Sequence, residues 1–293
     1  EAAGLANLLV KRDDLSGLAT GGNKVRKLEY LIGEALATGA DCVVTGGAAQ
    51  SNHSRQTAAA AAAAGLECHL ALGGDEPDAV EGNLLLDRIC GARLHWCGPD
   101  RKGERIPEII ESLRARGRRP YRIPYGGSDA TGAAGFVRAA CELAEQAHQQ
   151  SLHFGEIVFA SSSGGTHAGL IDGARRCGLK AHLRGMAIDP EDPARAPETI
   201  RALAAELGTP DAEVHLDDVS LFGGYGEITD REATAIRRLA RSEGVLLDPV
   251  YTGRAFAGLL ERAERGELTG PVLFWHTGGL PALFAGPGSI LLD

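Results

Sequence analysis

Short apolar runs alternate with helix-spaced segments along nearly the whole chain, and this rhythm restricts the fold more than any other feature. The segment "KLEYLIGEALATG" sets Leu28, Leu31, Ile32 and Leu36 at helical spacing and stops at Gly39. "DCVVTGG" then reads as a short buried strand, a helix follows over 51–64, and "ECHLAL" is the next strand. The alternation continues with helices over 81–90 and 106–116 and the strands "RLHW" and "YRIP". Further on come helices over 135–149, 167–177, 196–207, 229–243 and 253–265, with strands "EIVFA", "AHLRGMAI" and "PVLFW". Strands that are apolar throughout and spaced by helices predict an α/β protein: open, parallel, twisted sheets with helices on both faces. The Gly- and Ser-rich segment Tyr125–Gly135 predicts a loop crossing between two halves. No repeat of 20–50 residues interrupts the pattern, which excludes a solenoid.

At 293 residues the chain has room for one large or two modest cores. Its net charge of −9, with no basic stripe, argues against a nucleic-acid partner. The arginines at 114, 116, 118 and 119 close a helix and read as a solvated end. Six cysteines form no CxxC pair and mostly sit in apolar surroundings, which predicts buried free thiols and a cytoplasmic protein. Nine histidines show no zinc-site spacing, and no apolar run approaches transmembrane length. The chain opens at Glu1, so the native start is expected to lie upstream.

Several strand-to-helix junctions carry more polarity than a turn requires. "SSSGGTHAGL" (161–170) follows a strand and opens a helix; its small residues let backbone N–H groups approach an anion at the positive helix end. A plain turn with a capping residue would read the same way, and the loop is neither GxGxxG nor a Walker A loop. "GGAAQSNHSRQT" gathers Gln50, Ser51, Asn52 and His53 where a strand ends, although helix capping needs only one of them. "LLDPVYTGRA" (246–255) and "HTGGLPALF" (276–284) place hydroxyls beside glycines after apolar runs, and His276 alone reads as structural. In "GGNKVRKLEYL" both Lys24 and Lys27 are candidate nucleophiles or plain surface lysines, and spacing does not choose between them. A phosphorylated aldehyde cofactor held by a lysine would account for the lysine, the anion loop and the hydroxyls together.

These blocks, together with "KRDDLSGLATGGNKVRKLEYL", resemble the D-cysteine desulfhydrase and 1-aminocyclopropane-1-carboxylate (ACC) deaminase family, pyridoxal-phosphate (PLP) enzymes of fold type II. The resemblance runs from about Lys11 to Phe284. It implies a large PLP-binding domain from 1–35 plus 131–293 and a small domain over 36–130, with the active site in the cleft between them. It makes Lys24 the Schiff-base lysine and gives Lys27 a supporting role. Ser51 matches the active-site serine, Asn52 the partner of the cofactor's ring hydroxyl, and Gln50 lies where the substrate carboxylate is held. Ser163, Gly164, Gly165 and Thr166 match the phosphate loop, and Tyr225 and Tyr251 the two active-site tyrosines.

Two positions separate branches of that family. Deaminases resemble "PVYEG", with a glutamate facing the pyridine nitrogen, where this chain has Thr252; they resemble "HLGG" where it has Thr277. A carboxylate keeps that nitrogen protonated and the ring a strong electron sink; a neutral hydroxyl does not. The expectation is therefore β-elimination from a small amino acid, D-cysteine foremost, to pyruvate, ammonia and hydrogen sulfide. L-cysteate sulfo-lyase, ACC deaminase and a catalytically silent PLP-binding protein are the alternatives. "FGGYGEI" departs from the family's usual "GYGxPN", which leaves the leaving group open. The resemblance further implies a homodimer without membrane or nucleic-acid partners.

Overall fold

A computed structural model describes residues 8–188, 194–221, 227–286 and 291–292. Two all-parallel sheets organise them. The first has five strands in the order β1 (Leu8–Arg12), β9 (Val272–His276), β6 (Glu156–Ser161), β7 (His182–Ala187) and β8 (His215–Asp217). The second has four, ordered β4 (Arg93–Trp96), β3 (Glu67–Gly73), β2 (Cys42–Ala48) and β5 (Pro120–Arg122). The helices are α1 (Lys24–Ala37), α2 (Asn52–Ala63), α3 (Gly82–Ile89), α4 (Ile106–Ala115), α5 (Ala130–Gln149), α6 (Gly165–Cys177), α7 (Ala196–Leu207), α8 (Asp230–Glu243) and α9 (Thr252–Glu264).

Side chains alternate across a strand, so an unbroken apolar strand needs cover on both faces. β9 shows this directly. Val272 and Phe274 enter a core with Ile236, Leu239, Phe256 and Leu259 of α8 and α9. Leu273 and Trp275 enter the opposite one with Phe136, Leu143 and Leu170 of α5 and α6. In the small sheet, Val43 meets Leu28, Leu31 and Leu84 of α1 and α3, whereas Val44 meets Ile106, Ile110 and Leu113 of α4.

The segment read as a crossing loop is largely helical. α5 begins at Ala130, five residues earlier than the periodicity suggests, because the Asp129 side chain accepts the Gly132 N–H at 2.8 Å and caps it. Its glycines serve close packing: a Cβ on Gly135 would lie 2.2 Å from the Arg26 carbonyl oxygen on α1. Gly135→Ala is expected to cost about 1–3 kcal/mol, read as a lowered urea midpoint, because α1 must move away. The cysteine expectation also needs correction. Cys141 and Cys177 form a disulfide between α5 and α6, with Cα atoms 5.2 Å apart. The small-residue seam brings these helices together: a Cβ on Gly173 would meet the Val137 carbonyl oxygen at 2.6 Å, and Cys177 lies one turn further along. Cys42, Cys68, Cys90 and Cys97 are free thiols. Among the described residues, no helix is long and apolar enough to cross a membrane.

The topology places the site. In the first sheet the chain runs from β6 outward to β7 and β8, whereas β9 and β1 lie on the other side of β6. In the second, β3 and β4 lie on one side of β2 and β5 on the other. Each sheet therefore has a switch point where successive connections diverge, and crevices open there at the carboxyl ends of strands. The loops leaving β6 and β9 and those leaving β2 and β5 line one common cleft.

Candidate active site

Lys24 reaches this cleft from the first residue of α1. The helix start is anchored from below: the buried Asp13 carboxylate accepts from Arg26 Nε and Nη2 (2.9 and 2.8 Å) and from Trp275 Nε1 (2.8 Å). Asn23 N–H donates to the Thr277 carbonyl (2.9 Å), and Asn23 Nδ2 to Thr166 Oγ1 (3.1 Å). The lysine is thus tied to both the β9 loop and the β6 loop. Burial pulls the Lys24 ammonium down to about 8, against a hydrogen bond it donates to Lys27, which favours the charge.

Lys27, fully buried one turn on, is held well below its usual value, first by burial and then by the neighbouring Lys24 charge. Its valences fit a neutral amine. Two N–H bonds go to the Gly126 carbonyl and Ser128 Oγ, each at 3.0 Å, which leaves the lone pair for Lys24. Ser128 Oγ in turn contacts Ser163 Oγ (2.8 Å) and accepts the Gly165 N–H (3.2 Å). This chain of contacts joins the lysines to the glycine turn that opens α6. Gly164 sits there at φ 85°, and a Cβ on Gly165 would meet Lys27 Nζ at 2.7 Å, so both glycines are required by space or backbone.

The anticipated residues divide into two groups. Lys24, Ser51, Asn52, Ser163, Gly164, Thr166, Tyr251 and Thr277 line the cleft. Ser51 also caps α2, its Oγ accepting the Ser54 N–H at 3.2 Å, so the capping and cleft-lining readings hold together. Gly165, Gln50 and Thr252 lie behind the lining. Gln50 is occupied at both ends of its amide: Oε1 accepts the Asn83 N–H (2.8 Å) and Nε2 donates to the Glu81 carbonyl (3.1 Å). Thr252, fully buried, gives its single hydroxyl proton to Asp248 Oδ1 (2.6 Å) and accepts the Asp248 N–H (2.8 Å). Asp248 also accepts from the N–H groups of Val250, Tyr251 and Thr252, which fixes the start of α9 and the backbone of Tyr251. From that side the cleft is lined by Tyr251 and, from the β9 loop, by Thr277 and Gly278. Tyr225 lies outside the described residues.

Asn23, Tyr125, Gly126, Ser161, Ser162, His167 and His53 also line the cleft; Ser161, Ser162 and His167 belong to the 161–170 segment read as an anion loop, and His53 to the polar cluster after β2. His53 is buried with Nε2 2.9 Å from Thr45 Oγ1, and burial, reinforced by the nearby Lys24 charge, keeps it neutral. His276 is structural, its ring nitrogens meeting the Leu246 carbonyl (2.9 Å) and the Gly278 N–H (3.2 Å). Only the strand-end position of Tyr125 and Gly126, after "YRIP", offered a sequence signal for those two.

The arrangement fits PLP. Lys24, a buried amine of depressed basicity, would hold the aldehyde, the Ser163–Thr166 turn at the helix N-terminus would hold the phosphate, and the Asn52 side chain on the cleft wall would meet the ring oxygen. Comparison with known proteins agrees. The family model for pyridoxal-phosphate dependent enzymes matches residues 1–278. An ACC deaminase homologue of known structure is 42% identical with TM-score 0.86, over 98% of this chain and 89% of that one. A threonine deaminase isoform from Solanum lycopersicum (15% identical, TM-score 0.67, 94% and 76% covered) shares the fold. So does a hydrogen sulfide-producing enzyme from Fusobacterium nucleatum (14%, TM-score 0.66, 94% and 91% covered). The chain belongs to the pyridoxal-phosphate-dependent enzymes of fold type II, within the ACC deaminase and D-cysteine desulfhydrase family.

Proposed function

We propose that this protein catalyses β-elimination from a small amino acid, with D-cysteine as substrate and pyruvate, ammonia and hydrogen sulfide as products. The observation that carries the reading is the charge of the cleft: no Asp or Glu is among its described lining residues, and the β9 loop contributes Thr277 and Gly278. Bound PLP supplies an electron sink for the substrate Cα carbanion. Without a carboxylate at the ring nitrogen that sink is weak, which suits departure of a good leaving group better than opening of an unactivated cyclopropane.

The chain's own groups then take definite tasks. Lys24 Nζ would hold the cofactor aldehyde, and the same amine, when free, would take the substrate Cα proton. Its depressed basicity keeps a usable fraction unprotonated near neutrality. Lys27, already neutral, offers its lone pair to that amine and so steadies the proton there. The Ser51 hydroxyl and Tyr251, both on the cleft wall, orient substrate and carry protons, with Tyr225 as a second tyrosine. The Ser163–Thr166 turn holds the phosphate, and neutral His53 closes the floor without adding charge.

Keto-acid release measured in parallel on D-cysteine, L-cysteine, L-cysteate, D-serine and ACC tests the proposal. D-cysteine is expected to exceed ACC by at least about a hundredfold in kcat/KM, a difference of about 2.7 kcal/mol in transition-state stabilisation. Preference for L-cysteate would move the assignment to a sulfo-lyase, and preference for ACC would overturn the argument from the missing carboxylate.

A further inference from the structure

Asn52 is useful to a cofactor only if its amide points the right way. The two ends of a carboxamide are nearly the same size, and only hydrogen-bond partners choose between them. Here the choice is made on both sides of Oδ1. Arg55 Nη1 donates to Asn52 Oδ1 at 3.0 Å, and Asn83 Nδ2 donates to the same oxygen at 3.0 Å. Turning the amide over would set its N–H₂ against a guanidinium, which has no acceptor, and against a second N–H₂. The oxygen therefore stays inward and the N–H₂ is left for the cleft.

The donors are themselves fixed. Asn83 Oδ1 accepts from Arg55 Nη1 at 2.6 Å, and Asn83 Nδ2 also reaches the Gln50 carbonyl at 2.9 Å. Arg55 is fully buried, and its Nη2 donates to the Gly21 carbonyl at 2.8 Å, three residues ahead of Lys24. Gln56, next on α2, accepts the Val25 N–H at 3.0 Å and donates to the Asn52 carbonyl at 3.0 Å. Arg55 stays cationic at neutral pH: burial pulls it only to about 10, and Asp87 and Asp248 favour its charge, although burial pushes the Asp87 carboxyl itself up to about 8. One guanidinium thus grips both the Asn52 amide and the loop that delivers Lys24.

We propose that Arg55 and Asn83 are positioning residues that lock the Asn52 amide with its N–H₂ facing the ring oxygen of PLP, in register with Lys24. This rests on the reading of Asn52 as the ring-oxygen partner. A donor at that oxygen favours its ionised form, and an acceptor there favours the protonated one.

Asn83→Asp is the discriminating substitution. It keeps the side-chain size and the acceptor for Arg55, but replaces the Nδ2 donor by an acceptor, so Arg55 alone holds the Asn52 oxygen inward against an opposing carboxylate oxygen and the turned-over amide, with its oxygen to the cleft, becomes populated. The expected result is a dissociation constant for PLP raised about tenfold and a higher pH midpoint for the long-wavelength absorbance of the bound cofactor. Arg55→Lys, which cannot hold Asn52 and Gly21 together, shifts both in the same direction by less. A purely structural role would lower the melting temperature and leave the midpoint in place.

A folded Asn83→Asp protein with the wild-type midpoint overturns the proposal. Asn52→Ala separates the two ideas: a moved midpoint there with an unmoved one in Asn83→Asp removes only the clamp. Unmoved midpoints in both remove the Asn52 assignment as well. Should the clamp variants fail to fold, the side-chain ¹⁵NH₂ signals of Asn52 in the wild-type apo-protein decide. They are expected to shift when PLP is added, and their failure to respond overturns the proposal.

Discussion

Lys24→Ala is expected to abolish the visible absorbance of the bound cofactor and to reduce keto-acid release by at least about a thousandfold. Two separate functions are lost together: the amine that holds the aldehyde and the amine that takes the Cα proton. Lys27 cannot replace it, although it lies only one turn away. Its two N–H bonds are committed to Gly126 and Ser128, and a Cβ on Gly165 would already collide with its Nζ, so the amine is wedged behind the glycine turn. The apo-protein should still fold, because a buried ammonium has been removed and Lys27, which loses the hydrogen bond it accepted from Lys24, keeps its bonds to Gly126 and Ser128. The check is threefold: an absorbance scan with added PLP, borohydride trapping followed by peptide mass analysis, and the keto-acid assay. Trapping on Lys27 with retained turnover would sink the assignment of the reactive lysine.

The sheets and most helices were legible because burial on both faces leaves a local mark, a short apolar run followed by 3.6-residue spacing. The start of α5 was not. Gly126, Gly127, Gly132 and Gly135 look like loop composition, yet Gly132 and Gly135 are helical and glycine because the Gly127 and Arg26 carbonyls press against them. The contact of Gly135 with Arg26 joins segments about a hundred residues apart, and nothing in a short window announces it. The Cys141–Cys177 pairing was hidden for the same reason. Polar clusters at strand ends located the cleft, but not which polar atoms are spent on the scaffold. Thr252 stands beside the cleft-lining Tyr251, yet its hydroxyl turns to Asp248 four residues back, and Gln50 fastens the start of α3. Residue type gave the kind of chemistry; direction came only from the packed neighbours.

Direction also sets the pH at which the protein takes up its cofactor. Only the neutral amine attacks an aldehyde, and Lys24 is pulled down to about 8 by burial. At pH 7 roughly 10% of it is neutral, against about 0.03% of an ordinary lysine at 10.5, an advantage of about three hundredfold. The rate of PLP capture by apo-protein is therefore expected to rise about fiftyfold between pH 6 and pH 8 and then level off. A simple alkylamine measured beside it should go on rising towards pH 10.5, and that comparison cancels changes in the aldehyde itself. The neighbouring lysine gives the sign a second test. Neutral Lys27 accepts a hydrogen bond from the Lys24 ammonium and so holds its basicity up against burial. Lys27→Met removes that lone pair while keeping the volume, and the break in the capture profile should move below 8. Stopped-flow absorbance over pH 5.5–10.5 reads both. A break near 10.5 in the wild type would mean that Lys24 is solvated, and an upward shift in Lys27→Met would mean that its partner carries a charge.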